Sequence, residues 1–175
     1  MIGFMKKLNL GCGQDVRKGY VNLDSLKLRG VDVVHDLNKF PYPFDDDEFD
    51  EIYTSHVLEH LDNLPKAMEE LKRICRNGGR IKIRVPHFSC GLTYNDPTHK
   101  CFFGYSTFDV FTEKSFYELP KFRIVRKKLN FTRMAFTSLN YFFNPLININ
   151  PVMYERFFCW MLPCSEVLFE LEVVK

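Results

Sequence analysis

The feature that most constrains this chain is a short apolar stretch that runs directly into two closely spaced glycines. Leu8–Leu10 is followed by Gly11-Cys12-Gly13, and the next apolar stretch ends at Asp24. Because glycine has no Cβ atom, a ligand can approach the main chain closely at the end of the first strand. A carboxylate at the end of the next strand is placed to accept hydrogen bonds from two ribose hydroxyls. Together these residues predict a nucleoside-binding crevice in an α/β sheet.

A dinucleotide site is the first alternative, and the spacing argues against it. The dinucleotide fingerprint requires a third glycine where this chain has Val16, and an acidic residue farther along the chain than Asp24. The interval between Gly13 and Gly19 is also too short for a helix of normal length. Little helix dipole is therefore available for a pyrophosphate. The sequence predicts a nucleoside ligand without phosphates.

The overall composition sets broad limits. The chain has 175 residues, which predicts a single domain over 1–175 with a sizeable core. Its net charge of +2 is too small to indicate a nucleic-acid or membrane partner. The six cysteines include no Cys-x-x-Cys pair, which favours free thiols over disulfides or a structural zinc. Because Met1–Lys7 is also too short for a signal peptide, we expect a cytoplasmic protein.

The hydrophobic pattern predicts seven strands, each bounded by Gly, Pro or acidic turns. One amphipathic helix runs from about Leu61 to Cys75, with Asp62 or Asn63 as its cap and Pro65 in its first turn. Gly78-Gly79 is predicted to end this helix. A strand on each side of the helix makes a parallel βαβ unit. The predicted strands are 6–11, 19–24, 32–36, 49–55, 79–86, 122–131 and 167–174.

The second half of the chain is aromatic and less regular. Most of the 18 phenylalanines lie beyond residue 87. The stretch 87–111 is interpreted as an insertion with a short helix near Thr107–Phe111, and a further helix is expected over Thr112–Leu119. An aromatic-rich segment follows at 134–164, whose apolar runs are too short for a membrane span. Core packing or a lid over a substrate is expected there, with a homodimer surface or membrane-interface contact as alternatives.

Two further clusters are expected at the same end of the sheet. Asp36 is predicted to lie at the tip of the third strand and to bind an exocyclic amine, with the backbone of Leu37 at an adenine edge. The alternative is that Asp36 only caps a turn.

The residues after the fourth strand that are expected to line the crevice are Ser55, His56, Glu59 and His60. His56 and His60 are one helical turn apart, but Glu59 adjoins the second histidine, so the spacing of a zinc protease fails.

These pieces occur in one order, and in that order the first half of the chain resembles a class I S-adenosylmethionine-dependent methyltransferase of the small methyltransferase-domain group. The resemblance implies a Rossmann-like α/β fold: a mostly parallel seven-stranded sheet with the last strand antiparallel and helices on both faces. It implies S-adenosyl-L-methionine as cofactor, although the segment between Gly13 and Gly19 is shorter than in most relatives. The matching pieces are 9–13, 22–24, 36–41, 49–50, 57–61, 70–74 and 77–79, and loosely 169–173. The expected cofactor-binding residues are Asn9, Gly11, Cys12, Gly13, Asp24, Asp36, Leu37, Ser55, His56, Glu59 and His60.

The acceptor side is expected to follow the fifth strand. Methyl transfer to an alcohol needs a base, and histidine has a suitable pKa near neutrality. His87 and His99 are the candidates, with Asp96 orienting His99; the alternative is that Asp96–His99 is only a turn with His99 on the surface. The spacing of His87, Asp96, His99 and Cys101 matches no common zinc pattern, so no metal ligands are predicted.

The sequence therefore predicts a methyltransferase that acts on a small or sugar-like acceptor, with oxygen as the expected methylated atom. One alternative is a catalytically inactive cofactor-binding partner subunit. Another is an RNA methyltransferase, which the basic residues of 123–133 suggest. Arg126 and Lys128 would share one face of a strand there, although a solvated edge strand is the simpler interpretation.

Overall fold

Seven strands form one sheet in a computed structural model that describes residues 5–175. The order across the sheet is β3-β2-β1-β4-β5-β7-β6. Strands β1 to β5 pair in parallel, and β7 runs antiparallel to both of its neighbours. The predicted fold class is confirmed. The strands are β1 (Lys7–Leu10), β2 (Val21–Asp24), β3 (Val33–Val34), β4 (Phe49–Ser55), β5 (Cys75–Pro86), β6 (Phe122–Asn130) and β7 (Glu166–Val173).

The two faces of the sheet differ in polarity. Along β7 the residues alternate, and Val167, Phe169, Leu171 and Val173 are buried. This alternation is what a strand with one core face requires. The other face of β5 carries three basic residues, each paired with a glutamate of a neighbouring strand: Arg80 with Glu172, Lys82 with Glu51, and Arg84 with Glu166.

Helix α1 (Leu64–Ile74) connects β4 to β5 and packs its apolar stripe on the core. Asn63 caps it, because its side chain accepts a hydrogen bond from the backbone N–H of Lys66 at 3.0 Å. The prediction that Gly78-Gly79 ends this helix is wrong, since β5 already begins at Cys75. Gly79 serves strand pairing instead: a Cβ atom there would lie 2.6 Å from Sγ of Cys75 and 3.1 Å from the backbone oxygen of Asp50.

The connection from β1 to β2 contains no helix in the described chain, in agreement with the short interval between Gly13 and Gly19. Strand β3 is shorter than predicted, and it ends at Val34. Asp36 therefore lies in the turn after the strand, where its Oδ1 accepts a hydrogen bond from the backbone N–H of Asn38 at 3.0 Å. The part of the prediction that places Asp36 at the tip of a strand is wrong.

The region after β5 folds into short elements. Helix α2 (Leu92–Asn95) and a 3₁₀ helix at Thr107–Phe111 lie before β6, and the second of these was predicted. The predicted helix over Thr112–Leu119 is wrong, because this stretch forms turns and Phe116 is 86% exposed. A short helix without an apolar face to bury is marginal in water.

The aromatic segment contains helix α3 (Asn140–Ile147) and helix α4 (Pro151–Phe157). Ile147 and Tyr154 reach the core, whereas Tyr141 and Trp160 are 90% and 67% exposed. The segment is therefore only partly core. None of the helices in residues 5–175 is long and apolar enough to cross a membrane. The signal-peptide prediction for Met1–Lys7 falls partly outside the described residues.

Candidate functional site

A crevice of about 350 Å³ lies at the carboxyl ends of β1, β2 and β4, within the size range of small-molecule sites. This is the position where ligands bind in open α/β sheets. Seven of the predicted cofactor residues line it: Gly11, Gly13, Asp24, Asp36, Leu37, His56 and His60. Four other lining residues were not predicted from the sequence: Ser25, Asn38, Val57 and Leu61. Each of them is adjacent in sequence to a predicted residue or is part of a matching piece, so proximity in the chain was the available signal.

The glycine turn and Asp24 form one hydrogen-bonded unit. Gly11 and Gly13 have φ angles of +66° and +50°, which favour glycine. The backbone N–H of Gly13 donates to Oδ2 of Asp24 at 2.7 Å, and Leu26 donates to Oδ1 at 3.0 Å. Val57 packs directly above Gly11, where a Cβ atom would lie 2.4 Å from Cγ2 of Val57. The turn therefore presents bare backbone to the crevice and holds the carboxylate beside it.

The second lining unit is the turn that contains Asp36 and Leu37. The backbone oxygen of Leu37 accepts a hydrogen bond from the buried hydroxyl of Tyr42 at 3.1 Å. Burial raises the pKa of Tyr42, so this hydroxyl remains a donor. Oδ1 of Asn38 accepts from the backbone N–H of Asp62 at 2.9 Å, which joins this turn to the segment that precedes α1.

His56 lies at the end of β4 with a φ angle of +56°, an uncommon conformation for a residue other than glycine. Its Nδ1 is 3.4 Å from Oε1 of Glu59, and its Nε2 is 3.3 Å from Oε2 of Glu166. Burial by itself would lower the pKa of His56, but the two carboxylates outweigh it and raise the pKa. The wall of the crevice therefore contains an imidazole that favours its cationic form.

Glu166 anchors this arrangement from β7. Its side chain is fully buried, and it contacts Arg84 at 2.5 Å and the side-chain amide of Asn130 at 2.7 Å. Burial by itself would raise the pKa of Glu166, but hydrogen bonds from His56, Arg84 and Asn130 lower it to about 2. Sequence reasoning did not identify Glu166, because nothing near it in the chain marks a role in the crevice.

His60 lies between the crevice and the loop after β5. Its ring is 4.8 Å from the ring of His99, measured between centroids, in an edge-to-face arrangement. The backbone N–H groups of Lys100 and Cys101 donate to the backbone oxygen of Glu59 at 2.7 and 3.1 Å. These two bonds fold the loop back onto the crevice wall. Backbone pairing across a long separation in sequence thus brings His99 next to His60, although His99 and Asp96 are not themselves lining residues of the crevice.

The three predicted catalytic residues occupy different environments. His99 has a side chain that is 10% exposed, with Nε2 3.8 Å from Oδ2 of Asp96. Asp96 accepts hydrogen bonds from the hydroxyl and the backbone N–H of Thr98, which lower its pKa. His87 is fully buried, with Nδ1 2.8 Å from Ser89 and Nε2 2.9 Å from Glu155, and it is not a lining residue of the crevice.

Four predicted cofactor residues are not among those that line the crevice. Asn9 is buried and donates to the backbone oxygen of Asp15 and to Oδ1 of Asn22, at 2.7 and 3.0 Å. Cys12 is buried with a raised thiol pKa, which burial and the nearby Asp24 explain. Ser55 and Glu59 also lie outside the lining. A role of these four in binding stays a prediction.

Basic side chains line two larger cavities away from the glycine turn. One of about 900 Å³ lies between β6 and α3, and one of about 580 Å³ lies on the polar face of the sheet. Arg126 and Lys128 line both cavities, so the prediction that they share a face is confirmed.

The geometry of the crevice agrees with what comparison with known proteins finds. A family model described as a methyltransferase domain matches residues 8–83. This match begins at the second residue of β1 and ends within β5, so it contains the rest of β1, β2 to β4, α1 and every lining residue of the crevice. The chain has the class I methyltransferase fold, and its residues 8–83 match the model of the methyltransferase domain family. The predicted resemblance is confirmed, and S-adenosylmethionine is the cofactor of this class.

Sequence and structure comparisons give two kinds of likeness. An uncharacterized protein of Methanocaldococcus jannaschii is 34% identical over 82 residues, which is 47% of this chain and 38% of that protein. The chain thus matches less than two thirds of this curated relative. A methyltransferase structure from Archaeoglobus fulgidus, described as S-adenosylmethionine dependent, has a TM-score of 0.65 at 18% identity, covering 97% of this chain and 86% of that one.

A further structural neighbour is a candidate methyltransferase of Haloferax volcanii, solved in complex with the Trm112 methyltransferase activator. Its TM-score is 0.60 at 14% identity, covering 98% of this chain and 84% of that one. At these identities the structural likenesses establish the fold alone.

Proposed function

We propose that this chain transfers a methyl group from S-adenosylmethionine to an oxygen atom of a small or sugar-like acceptor. The observation that carries the proposal is the crevice itself. It joins the glycine turn, the carboxylate of Asp24 and the Asp36-Leu37 turn with two histidines, His56 and His60. This set provides backbone for the methionine portion, acceptors for the ribose and adenine, and polar side chains beside the reacting centre.

The chemistry requires mainly orientation and a suitable base. The sulfonium donor already has a good leaving group, so aligning it with the acceptor can contribute about 7–11 kcal/mol to the lowering of the barrier. His99 is the favoured base. Its Nδ1 is 2.7 Å from the backbone oxygen of Thr93 and must donate to it, which leaves the lone pair of Nε2 free to accept a proton. His87 is a poorer candidate, since both of its nitrogens are engaged in the interior.

The cofactor site is tested by thermal unfolding with and without S-adenosylhomocysteine. Saturation at about 100 times the dissociation constant adds about 2.7 kcal/mol to the free energy of unfolding. For a chain of this length we expect a rise in Tm of roughly 5–11 °C. Asp24→Ala should abolish the rise, because the ribose hydroxyls lose their acceptor.

Two variants control this experiment. Asp24→Asn retains an oxygen that accepts from the Gly13 N–H but removes the charge, so it separates ribose binding from support of the turn. Asp45→Ala changes an exposed carboxylate of the loop before β4 and should retain the full rise in Tm. If the Asp24 variants keep the rise as well, Asp24 does not bind the ribose.

The base is tested by His99→Ala with monosaccharides and small alcohols as acceptors. We expect the variant to keep the S-adenosylhomocysteine-dependent rise in Tm and to form product about 10²–10⁴-fold more slowly. Formation of S-adenosylhomocysteine is the measurement. An unchanged rate would remove His99 from the mechanism.

A partner-dependent role is the second candidate. The short connection between Gly13 and Gly19 leaves one end of the crevice without a covering helix in the described chain. The Haloferax volcanii neighbour is bound to an activator protein, which supports a role for a partner in completing such a site. S-adenosylhomocysteine binding without turnover on any acceptor would favour this candidate.

An RNA acceptor is distinguished by its dependence on charge. Arg126 and Lys128 share a face with Lys82 and Arg84 around the cavity of about 580 Å³. If RNA binds there, Arg126→Glu together with Lys128→Glu should weaken binding of a single-stranded RNA and reduce its salt dependence. Equal binding by the variant, or no binding by either protein, would eliminate this candidate.

A further inference from the structure

Beside the crevice, Glu59, His60 and His99 form a cluster that the sequence analysis did not assemble. One potential ligand atom from each residue lies within 4.8 Å of the others. The sequence spacing gave no indication of this cluster, because the loop after β5 carries His99 back to His60. The protonation of the two rings and the surroundings of the carboxylate show what the cluster can bind.

The hydrogen bonds of His99 determine which of its nitrogens is free. Nδ1 is 2.7 Å from the backbone oxygen of Thr93, and a carbonyl oxygen can only accept. Nδ1 therefore carries the proton, and in the neutral ring Nε2 has an available lone pair. Metal-binding histidines are usually held this way, with the second ring nitrogen donating to a carbonyl or carboxylate oxygen.

His60 is in the same tautomer for a related reason. Its Nδ1 is 2.9 Å from the hydroxyl oxygen of Thr98, and that hydroxyl donates its single hydrogen to Oδ1 of Asp96 at 2.6 Å. The Thr98 oxygen can therefore only accept from His60. The Nε2 lone pair of His60 is left free as well, and the chain Asp96–Thr98–His60 holds the ring in place.

Glu59 completes the donor set from the interior. Its side chain is 0% exposed, and within residues 5–175 neither carboxylate oxygen has a hydrogen-bond partner. A buried carboxylate without hydrogen bonds or a cation is costly. The basic side chain nearest to it is His56, with Nδ1 at 3.4 Å from Oε1 of Glu59, and the same ring also contacts Glu166. Glu59 thus has capacity for a second cation on the side of His60 and His99.

We propose that Glu59, His60 and His99 bind a divalent first-row transition-metal ion of the zinc type. Two neutral imidazoles and one carboxylate are a donor set that suits zinc and its neighbours, and they leave open positions for water or a substrate oxygen. Magnesium is a poor fit, because it prefers oxygen ligands. Bonds of about 2.0–2.2 Å would draw the three ligand atoms closer together than they now lie.

Since His60 also lines the crevice, the ion would lie next to the proposed acceptor position. There it would bind the acceptor hydroxyl and lower its pKa, so that the hydroxyl proton would pass to water as the oxygen takes the methyl group, and His99 would act as a ligand instead of a base. This role in methyl transfer rests on the proposed function, but binding of the ion does not.

The test uses the full chain, stripped of metal with a chelator and titrated with Co²⁺. We expect one ion per chain after desalting, visible absorption bands of a four- or five-coordinate site, displacement by Zn²⁺, and no displacement by excess Mg²⁺. Glu59→Gln and His99→Ala should each weaken Co²⁺ binding at least tenfold. Thr98→Val leaves all three ligands in place, removes the hydroxyl that joins Asp96 to His60, and should weaken Co²⁺ binding by about 10–100-fold.

His35→Gln is the matched control, because His35 is a partly exposed histidine outside the cluster whose Nε2 contacts the backbone oxygen of Lys39. It should bind Co²⁺ as tightly as the unmodified chain. Absence of Co²⁺ binding in the unmodified chain would overturn the proposal, and so would equal binding by the Glu59 and His99 variants. A strong thiolate-to-cobalt band would assign the ion to cysteine and overturn it too. If Glu59→Gln fails to fold, the Co²⁺ affinity of Thr98→Val tests the proposal in its place.

The metal proposal and the proposed function can fail separately. A rise in Tm with S-adenosylhomocysteine in a protein that binds no Co²⁺ would overturn the metal site alone. Binding of Co²⁺ without that rise would leave the metal site in place and contradict the cofactor proposal.

Discussion

Gly11→Ala is expected to lower the free energy of unfolding by roughly 2–5 kcal/mol, from a left-handed backbone cost of about 1–2 and an overpacking cost of about 1–3 kcal/mol. The φ angle of Gly11 is +66°, and a Cβ atom would lie 2.4 Å from Cγ2 and 2.8 Å from Cγ1 of Val57. At about 2–4 °C per kcal/mol for a chain of this length, Tm should fall by roughly 4–20 °C. The S-adenosylhomocysteine-dependent rise in Tm should also shrink, because Val57 and Gly11 both line the crevice.

Gly13→Ala is the matched control for this prediction. Its φ angle is +50°, but no heavy atom lies within 4 Å of the Cβ position. It therefore has only the conformational cost of about 1–2 kcal/mol. Equal losses of Tm in the two variants would show that the contact with Val57 does not determine the requirement for glycine at Gly11.

Glu166→Gln is expected to lower the free energy of unfolding by about 3 kcal/mol at pH 7, near the low end of what loss of one partner of a buried ion pair costs. The lower end applies because the Arg84 side chain is 30% exposed and water can solvate part of its unpaired charge. His56 also loses a carboxylate partner, at 3.3 Å. Denaturant unfolding at pH 7 measures the effect.

The same residue predicts a specific dependence on pH. The pKa of Glu166 is about 2 in the folded chain, below its value of about 4.3 in an unfolded chain. Its contribution to stability is therefore fully present above about pH 4.3 and is lost as the pH falls toward 2. Between pH 5 and pH 2.5, the unmodified chain should lose more free energy of unfolding than Glu166→Gln does.

Other acidic groups titrate in both the unmodified chain and Glu166→Gln. The informative quantity is therefore the difference between their two curves of the free energy of unfolding against pH. Asn130→Asp is a useful companion variant, because it places a like charge 2.7 Å from Oε1 of Glu166 in place of a donor. It should raise the pKa of Glu166 and move its titration to higher pH. Parallel curves for the unmodified chain and Glu166→Gln would contradict a depressed pKa of Glu166.

The sequence was sufficient to identify the parts of the fold that depend on local pattern. Strands β1, β4, β6 and β7 lie within one or two residues of their predicted bounds, because their alternation and their flanking turns are encoded within each segment. The glycine turn, Asp24 and α1 with its Asn63 cap follow from local chemistry in the same way. The absence of a helix from the β1–β2 connection was predicted from the small number of residues between Gly13 and Gly19.

The secondary-structure predictions were wrong where one local sequence pattern is compatible with two different structures. Gly78-Gly79 resembles the end of a helix, yet Gly79 is required because it lies close to the Cys75 side chain at the start of the same strand and to the backbone oxygen of Asp50 in β4. The segment Thr112–Leu119 has a suitable composition for a helix, but of its apolar residues Leu119 packs against the core while Phe116 remains exposed. In both cases pairing or burial across the molecule decided the outcome.

The sequence by itself thus determined most of the strands, the glycine turn with Asp24 and the resemblance to a methyltransferase domain, since these depend on residues that are close together in the chain. Only the tertiary structure decided which polar groups meet at the crevice wall. Glu166 of β7 reaches His56, and the loop after β5 brings His99 to His60 through hydrogen bonds to the backbone of Glu59. These contacts join residues far apart in sequence, and spacing carries no information about them, because the pairing of strands and loops sets their positions.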